Sequence, residues 1–301
     1  MHSDLGRLFA HLLLFVSMSL CAAADENHQH KTVVSDVSFV CGTELVPSKP
    51  KDHYQERHFL RVYQGKKLIL ERHDAHYWVI GMQHPFEEDA PWRQPQIKPR
   101  LLDFTGDKIP EVVVQRWTGG VHGCYSYQVF RVAPKFEKIW QMDAQYGHLD
   151  FEEKPGQLPV LIIEDTTFAY WNCGYADSPR LKVLYQWKNG TFQLVASRMQ
   201  GPADLARRAR EISELLDAQG AVVRDKSAPV SDRWPQSQIF IPHLLELIYS
   251  GHADLAWKLL KESWPQQIAA ERSAFQRDFL HQLKKSPHWP GLKNLNPKGA
   301  L

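Results

Sequence analysis

The residues with the most chemical potential in this chain form one short acidic stretch, Asp103-Phe104-Thr105-Gly106-Asp107-Lys108-Ile109-Pro110-Glu111, running into the apolar triplet Val112-Val113-Val114. Alternate side chains at Asp103, Thr105, Asp107 and Glu111, joined by the Ile109 carbonyl, can turn oxygens toward one point, as hard cations such as calcium require. The same residues also suit a metal-free hairpin turn closed by Asx-type hydrogen bonds. Either way the stretch implies a site or a corner, and not by itself a reaction.

Other chemistry-bearing residues are scattered. His122 and Cys124 stand two apart, which on a strand places them on one face, so a Cys-His nucleophile or a metal pair comes into view. No third group is evident to orient the histidine, and two ligands do not complete a zinc site. His28 with His30, and His73 with Asp74 and His76, are further pairs that imidazole chemistry would let bind a transition metal. With 15 histidines in the chain, such pairs also arise by chance, as a tail and a polar turn. The aromatic cluster Phe168, Tyr170, Trp171 and the separate Trp289 form either a binding platform, if exposed, or core, if buried. No Gly-x-Ser-x-Gly, P-loop, dinucleotide fingerprint or His-Glu-x-x-His occurs.

The acidic stretch and its following strand resemble the calcium-binding repeat of the FG-GAP or VCBS class, known from integrin-like β-propellers and from exported bacterial proteins. The likeness covers Arg100 to Val132, including Gly119-Gly120-Val121-His122-Gly123-Cys124, weakens over Gln145 to Val195, and is absent from the C-terminal third. The resemblance implies calcium ligation by Asp103, Thr105, Asp107 and Glu111. Lys108 departs from the glycine usual in that class, and Thr105 from the usual Asn or Asp. A non-glycine residue at Lys108 resists the positive φ that a sharp loop turn demands.

Compartment is legible at the N-terminus. Arg7, the apolar stretch Leu8–Leu20 and the small residues Ala22-Ala23-Ala24 read as a secretory leader over residues 1–24, too short to span a bilayer. The expectation is a periplasmic or secreted protein, with acylation of Cys21 as the alternative. The formal charge is +2 with or without the leader, since one Arg and one Asp leave with it. So weak a field argues against nucleic acid as a partner. Beyond the leader, Cys41, Cys124 and Cys173 remain. A Cys124–Cys173 bridge is the expected pairing within one β region, and three small buried thiols are the alternative.

The elements that position these residues divide the chain in two. Residues 25–198 carry period-two alternation and hairpin signals. Runs at Phe59–Val62 and Lys67–Leu70 flank a turn, and Leu181–Trp187 meets Thr191–Val195 through Lys188-Asn189-Gly190. Leu149–Ile163 reads as a degenerate second copy of the loop and strand. Its ligand places have become Glu152, Lys154, Gly156 and Val160, which cannot hold calcium. Too few repeats are recognisable to close a propeller, so a small antiparallel sandwich or an incomplete, propeller-like domain is expected. Residues 199–301 read as α-helical, over Ala203–Gln219, Pro242–Tyr249, Ala253–Glu262 and Gln267–Lys284. Leu244, Leu245, Ile248, Leu255, Trp257, Leu259 and Leu260 give the middle pair an apolar surface, either as a layer on the β region or as a tetratricopeptide-like hairpin. The class is α+β. The functional expectation is a non-enzymatic binding protein whose partner is a protein or envelope component. The competing expectation is a hydrolase of an envelope polymer, using Glu87, Glu88, Asp89, Glu164 and Asp165.

Overall fold

A computed structural model describes residues 29–48, 54–79, 102–120, 123–219, 225–229, 232–234 and 237–301. The leader, Cys21, His28, Glu87, Glu88, Asp89 and His122 lie outside these residues. Within them, twelve strands make three sheets, each an antiparallel meander of four consecutive strands. Sheet 1 holds β1 (Gln29–Val34), β2 (Val37–Pro47), β3 (Tyr54–Gln64) and β4 (Lys67–Arg72). Sheet 2 holds β5 (His76–Val79), β6 (Val112–Trp117), β7 (Tyr125–Arg131) and β8 (Glu137–Gln145). Sheet 3 holds β9 (Leu149–Glu152), β10 (Val160–Asp165), β11 (Leu181–Lys188) and β12 (Thr191–Leu194). The Asn-Gly turn expected between the last two strands is present. Asn189 and Gly190 take φ of 53° and 80°, closing the Lys188–Thr191 pair as a primed hairpin turn requires.

The sheets are layered, and the valine triplet shows how. Neighbouring residues of a strand face opposite sides. Val112 and Val114 join Phe130 and the sheet 1 residues Phe39, Leu60 and Val62 in one apolar cluster. Val113 joins Tyr127, Val129 and the sheet 3 residues Leu161, Ile163 and Val183 in the other. A sheet covered on both faces carries a continuous apolar run instead of an alternating one. The β region is thus a stack of three four-stranded meanders with no closed barrel, in line with the incomplete propeller-like or sandwich architecture expected. The degenerate second copy forms the β9–β10 hairpin, with Glu152 opposite Val160. In the first copy a single bridge, Leu102 to Glu111, closes the loop before β6.

The helices pack on the buried face of sheet 3, the face that also meets sheet 2: Tyr185 reaches both Trp140 and His288, while Lys182 and Gln193 on the other face stay exposed. They are α1 (Ala196–Met199), α2 (Leu205–Gln219), α3 (Ile241–Tyr249), α4 (Ala253–Ser263), α5 (Arg272–Leu283) and α6 (Trp289–Leu295). Three match the sequence reading closely. The fourth expected helix is broken: a 3-10 segment, Gln266–Glu271, contains the non-helical Ile268 before α5 begins. The short α6 was not anticipated. Pro242 stands in the first turn of α3, where its missing N–H costs nothing. Gly251, at φ 87°, reverses the chain while His252 N–H closes on the Leu247 carbonyl. α3 is apolar nearly all round, with Ile241, Leu244, Leu245, Leu247 and Ile248 each at 0% exposure. One cluster runs unbroken from Val113 through Val183 to Leu244, Phe279 and Leu292, so the helices form a layer on the sheets. No helix among the described residues is long and apolar enough to cross a membrane.

The expected Cys124–Cys173 bridge is not formed, and this is a correction. All three cysteines are free. Cys124 is exposed just before β7, while the Cys173 thiol turns toward the Ser178 hydroxyl at 3.6 Å in the loop after β10. Burial pushes the Cys41 thiol up to about 12, leaving it an inert core residue.

Candidate functional site

The stack has two ends, and candidate chemistry sits at both. At the first, the acidic loop turns the chain into β6. Asp103 accepts the Gly106 N–H at 2.6 Å and the Lys108 N–H at 2.8 Å on its two oxygens. Asp107 accepts the Ile109 N–H at 2.8 Å. Glu111, fully buried, accepts the Phe104 N–H and the Thr105 hydroxyl, each at 2.8 Å, and the Thr105 N–H at 3.3 Å. Lys108 takes the positive φ, at 69°, that its side chain disfavours, and its bond to Asp103 offsets that strain.

These bonds gather the carboxylates. One oxygen from each of Asp103, Asp107 and Glu111 lies within 4.8 Å of the others. Burial raises the Glu111 carboxyl above the ordinary range, and the Asp107 charge adds to the rise, against the pull of the Thr105 hydroxyl and the Phe104 and Thr105 amides. Among the described residues, a cation that the sequence reading missed reaches these carboxylates. Arg131, at the end of β7, reaches Asp107 at 3.8 Å, Glu111 at 4.0 Å and Glu137 at 3.0 Å. Only the β6–β7 register, Val112 opposite Phe130, places it there. The donor set is all oxygen and three carboxylates strong, which fits a hard divalent cation; Arg131 is the competing charge. Ile109 is seen contributing its N–H.

At the opposite end, half-buried rings from sheets 1 and 2 and from the turn before β9 form a row. His58 stacks on His76 with centroids 3.5 Å apart, His76 meets Trp117 at 4.9 Å, Trp117 meets Tyr125 at 6.3 Å, and Tyr125 meets His148 at 5.3 Å. Gly119 lies against this row. A side chain there would stand 3.3 Å from His76 Nε2, and its φ is 87°, so both space and backbone call for glycine. Glu164 continues the line, accepting the His148 N–H at 3.3 Å and pairing with Arg180 at 3.4 Å. Arg180 lies over the Tyr175 ring at 5.1 Å, and Tyr175, Tyr170 and Tyr146 touch one another at 5.4 to 6.0 Å. Gln145, the last residue of β8, and Tyr170 and Asn172 in the loop after β10 all hold positive φ here.

Beneath this end lies a buried polar knot. Asp165, 4% exposed, accepts the Tyr249 hydroxyl at 2.5 Å, the Thr167 N–H at 2.8 Å and the Ser286 hydroxyl. The Tyr185 hydroxyl meets His288 Nδ1 at 2.7 Å. His288 is 1% exposed, its Nε2 lacks a hydrogen-bond partner, and burial lowers its pKa. These bonds tie sheet 3 to α3 and to the segment before α6. They hold no nucleophile against a base: Ser286 donates to Asp165, and His288 offers only its backbone N–H to Ser286.

The remaining candidates do not converge. His73 pairs with Glu71 at 3.1 Å, Asp74 with Arg116 at 2.9 Å, and His76 belongs to the ring row. Glu164 and Asp165 are successive on β10, so they face opposite sides and cannot share a cleft. Phe168 and Trp171, each 2% exposed, are core against Phe279, and Trp289 packs partly buried on the same cluster. Comparison with family models, with curated proteins and with solved structures returns no match.

Proposed function

We propose that this chain is an exported, non-enzymatic binding protein of the bacterial envelope, related to FG-GAP or VCBS repeat proteins. Its acidic corner takes calcium as a structural ion, and its aromatic end meets the partner, a protein or an envelope component. The observation that supports the reading is the separation of roles. The gathered carboxylates are occupied with the amides of their own loop, whereas the half-buried tyrosines and tryptophan at the far end are contact groups without a reacting pair among them. Amphipathic rings of this kind give large contact area at small entropic cost.

Two measurements test the two halves. Millimolar calcium is expected to raise the thermal midpoint, as any ligand of the folded state does, and Asp107→Ala is expected to abolish the rise. No calcium-dependent shift would remove the metal from the proposal. For the partner, the wild type is expected to retain from an envelope extract a component that the Tyr170→Ala/Tyr175→Ala double variant loses. Equal retention by both proteins would remove the aromatic end from the proposal.

A further inference from the structure

α5 turns one face into the core and leaves the opposite face open. Ala274, Phe275, Phe279 and Leu283 are buried. On the other side an open groove of about 370 Å³ is lined by Ser273, Gln276, Arg277, Leu280, His281 and Lys284, a run at helical spacing. Arg277, His281 and Lys284 are exposed there. Among the described residues, neither Arg277 nor Lys284 has an ion-pair partner. Asp278, the carboxylate within the helix, is turned away from them: it accepts the Trp234 indole N–H at 3.1 Å and lies 3.6 Å from Arg233. α2 treats its cations differently, since Arg207 meets Asp204 at 3.2 Å and Glu211 at 2.9 Å. A helix C-terminus favours cations only over its last turn, which accounts for Lys284 and not for Arg277, in the middle of α5.

We infer that this face of α5 is a docking surface for an acidic segment of a partner protein. It is separate from the aromatic end and uses none of its residues. Charge complementarity sets the sign of the occupant, because unpaired cations along a concave surface attract anions and repel cationic partners. The spacing sets its class. Arg277 and Lys284 stand two turns apart, roughly 10 Å along the helix axis, so carboxylates strung along a peptide meet both without drawing either side chain toward the other. Ser273 and Gln276 offer neutral donors and acceptors to the amides of such a peptide, and the half-buried Leu280 adds one apolar contact. A lipid surface fits less well. The apolar face of α5 is packed in the core and is not free to enter a bilayer, and a formal charge of +2 gives the whole chain little pull toward one. Among the described residues, no aromatic ring lines the groove for a nucleobase to stack on.

The test uses the folded full chain and a fluorescent synthetic peptide of alternating glutamate and alanine, with its glutamine counterpart as control, read by anisotropy. The acidic peptide is expected to bind, the glutamine peptide is not, and binding is expected to weaken as salt rises. Arg277→Glu/Lys284→Glu is expected to weaken it about tenfold, the size of two lost exposed charge contacts. Lys258→Glu/Lys261→Glu, the same change of charge at exposed positions on α4, is expected to leave it nearly unchanged. Circular dichroism checks that the variants fold; should the α5 double variant fail, Arg277→Gln and Lys284→Gln are each expected to show a smaller loss in the same direction. Equal binding of the two peptides overturns the inference. Equal losses in the α5 and α4 variants also overturn it, by reducing the effect to net charge. Binding to vesicles of anionic lipid with none to the peptide overturns it in favour of a membrane surface. The Tyr170→Ala/Tyr175→Ala variant is expected to bind the peptide as the wild type does, so this surface and the aromatic end stand or fall separately.

Discussion

The acidic corner and the aromatic end terminate the same stack of strands by opposite means. The corner is local: within nine residues its carboxylates satisfy five of its own N–H groups, and its sequence alone prescribes the turn. The aromatic end is assembled from β3, β5, β6, β7 and the approaches to sheet 3, and the knot beneath it joins Asp165 to Ser286 across 121 residues. A local device tolerates change around it, whereas a long-range one fails when any layer moves. The contrast sets packing gathered from distant segments at one end against carboxylates and amides that close on themselves at the other.

Glu111→Ala breaks the corner most directly. It strands two buried amides and a hydroxyl, and a loss of roughly 3 kcal/mol in urea denaturation is expected. Tyr249→Phe removes one hydroxyl bond to the buried Asp165 carboxylate and is expected to cost about 2 kcal/mol by the same measurement. A loss within a few tenths of zero for either variant would mean that its end is not held as described.

The two ends should also answer acid with opposite sign. His288 is held neutral, its folded pKa below the unfolded value of about 6.5, so its contribution is full above that value and is lost as pH falls through the folded pKa. Glu111 has a folded pKa above the unfolded value of about 4.3, so acidification favours its folded form as pH falls into the window above 4.3. Midpoints measured from pH 7.5 to 5.5 should therefore decline in the wild type and decline less in His288→Gln. At lower pH, on approaching about 4.3, Glu111→Gln should lack the gain that protonation of Glu111 gives the wild type. An unchanged slope in both variants would show that neither group titrates on unfolding. The smallest effect is a matched pair: Lys108→Gly and Gln145→Gly each release a left-handed non-glycine residue and should each stabilise by about 0.5 kcal/mol.

What the sequence revealed divides along the same line. The acidic corner, the Asn189-Gly190 hairpin and three of the helices were legible because their signals lie within a few residues. Lys108 was read as opposing the positive φ it in fact adopts, since the Asp103 carboxylate that holds it there acts through geometry a residue count does not contain. Arg131 escaped notice because only strand register brings it to Glu111. The ring row escaped for the same reason: His58, Trp117 and His148 share no local pattern. Phe168 and Trp171, adjacent to Tyr170 in sequence, went to the core while Tyr170 stayed at the surface, and no periodicity separates them in so irregular a segment. The Cys124–Cys173 pairing was wrong because membership in one β region does not bring two loops face to face.

Val112, Val113 and Val114 give sheet 2 no wet side. Peeling away either neighbouring layer would hydrate one half of that spine and loosen its grip on the other, so Phe39 on one flank and Leu244 on the other report to a common girder. Such a molecule is expected to melt in a single cooperative step, with the slowest amide exchange at Val113 and with a lesion among the helices sensed at the far sheet.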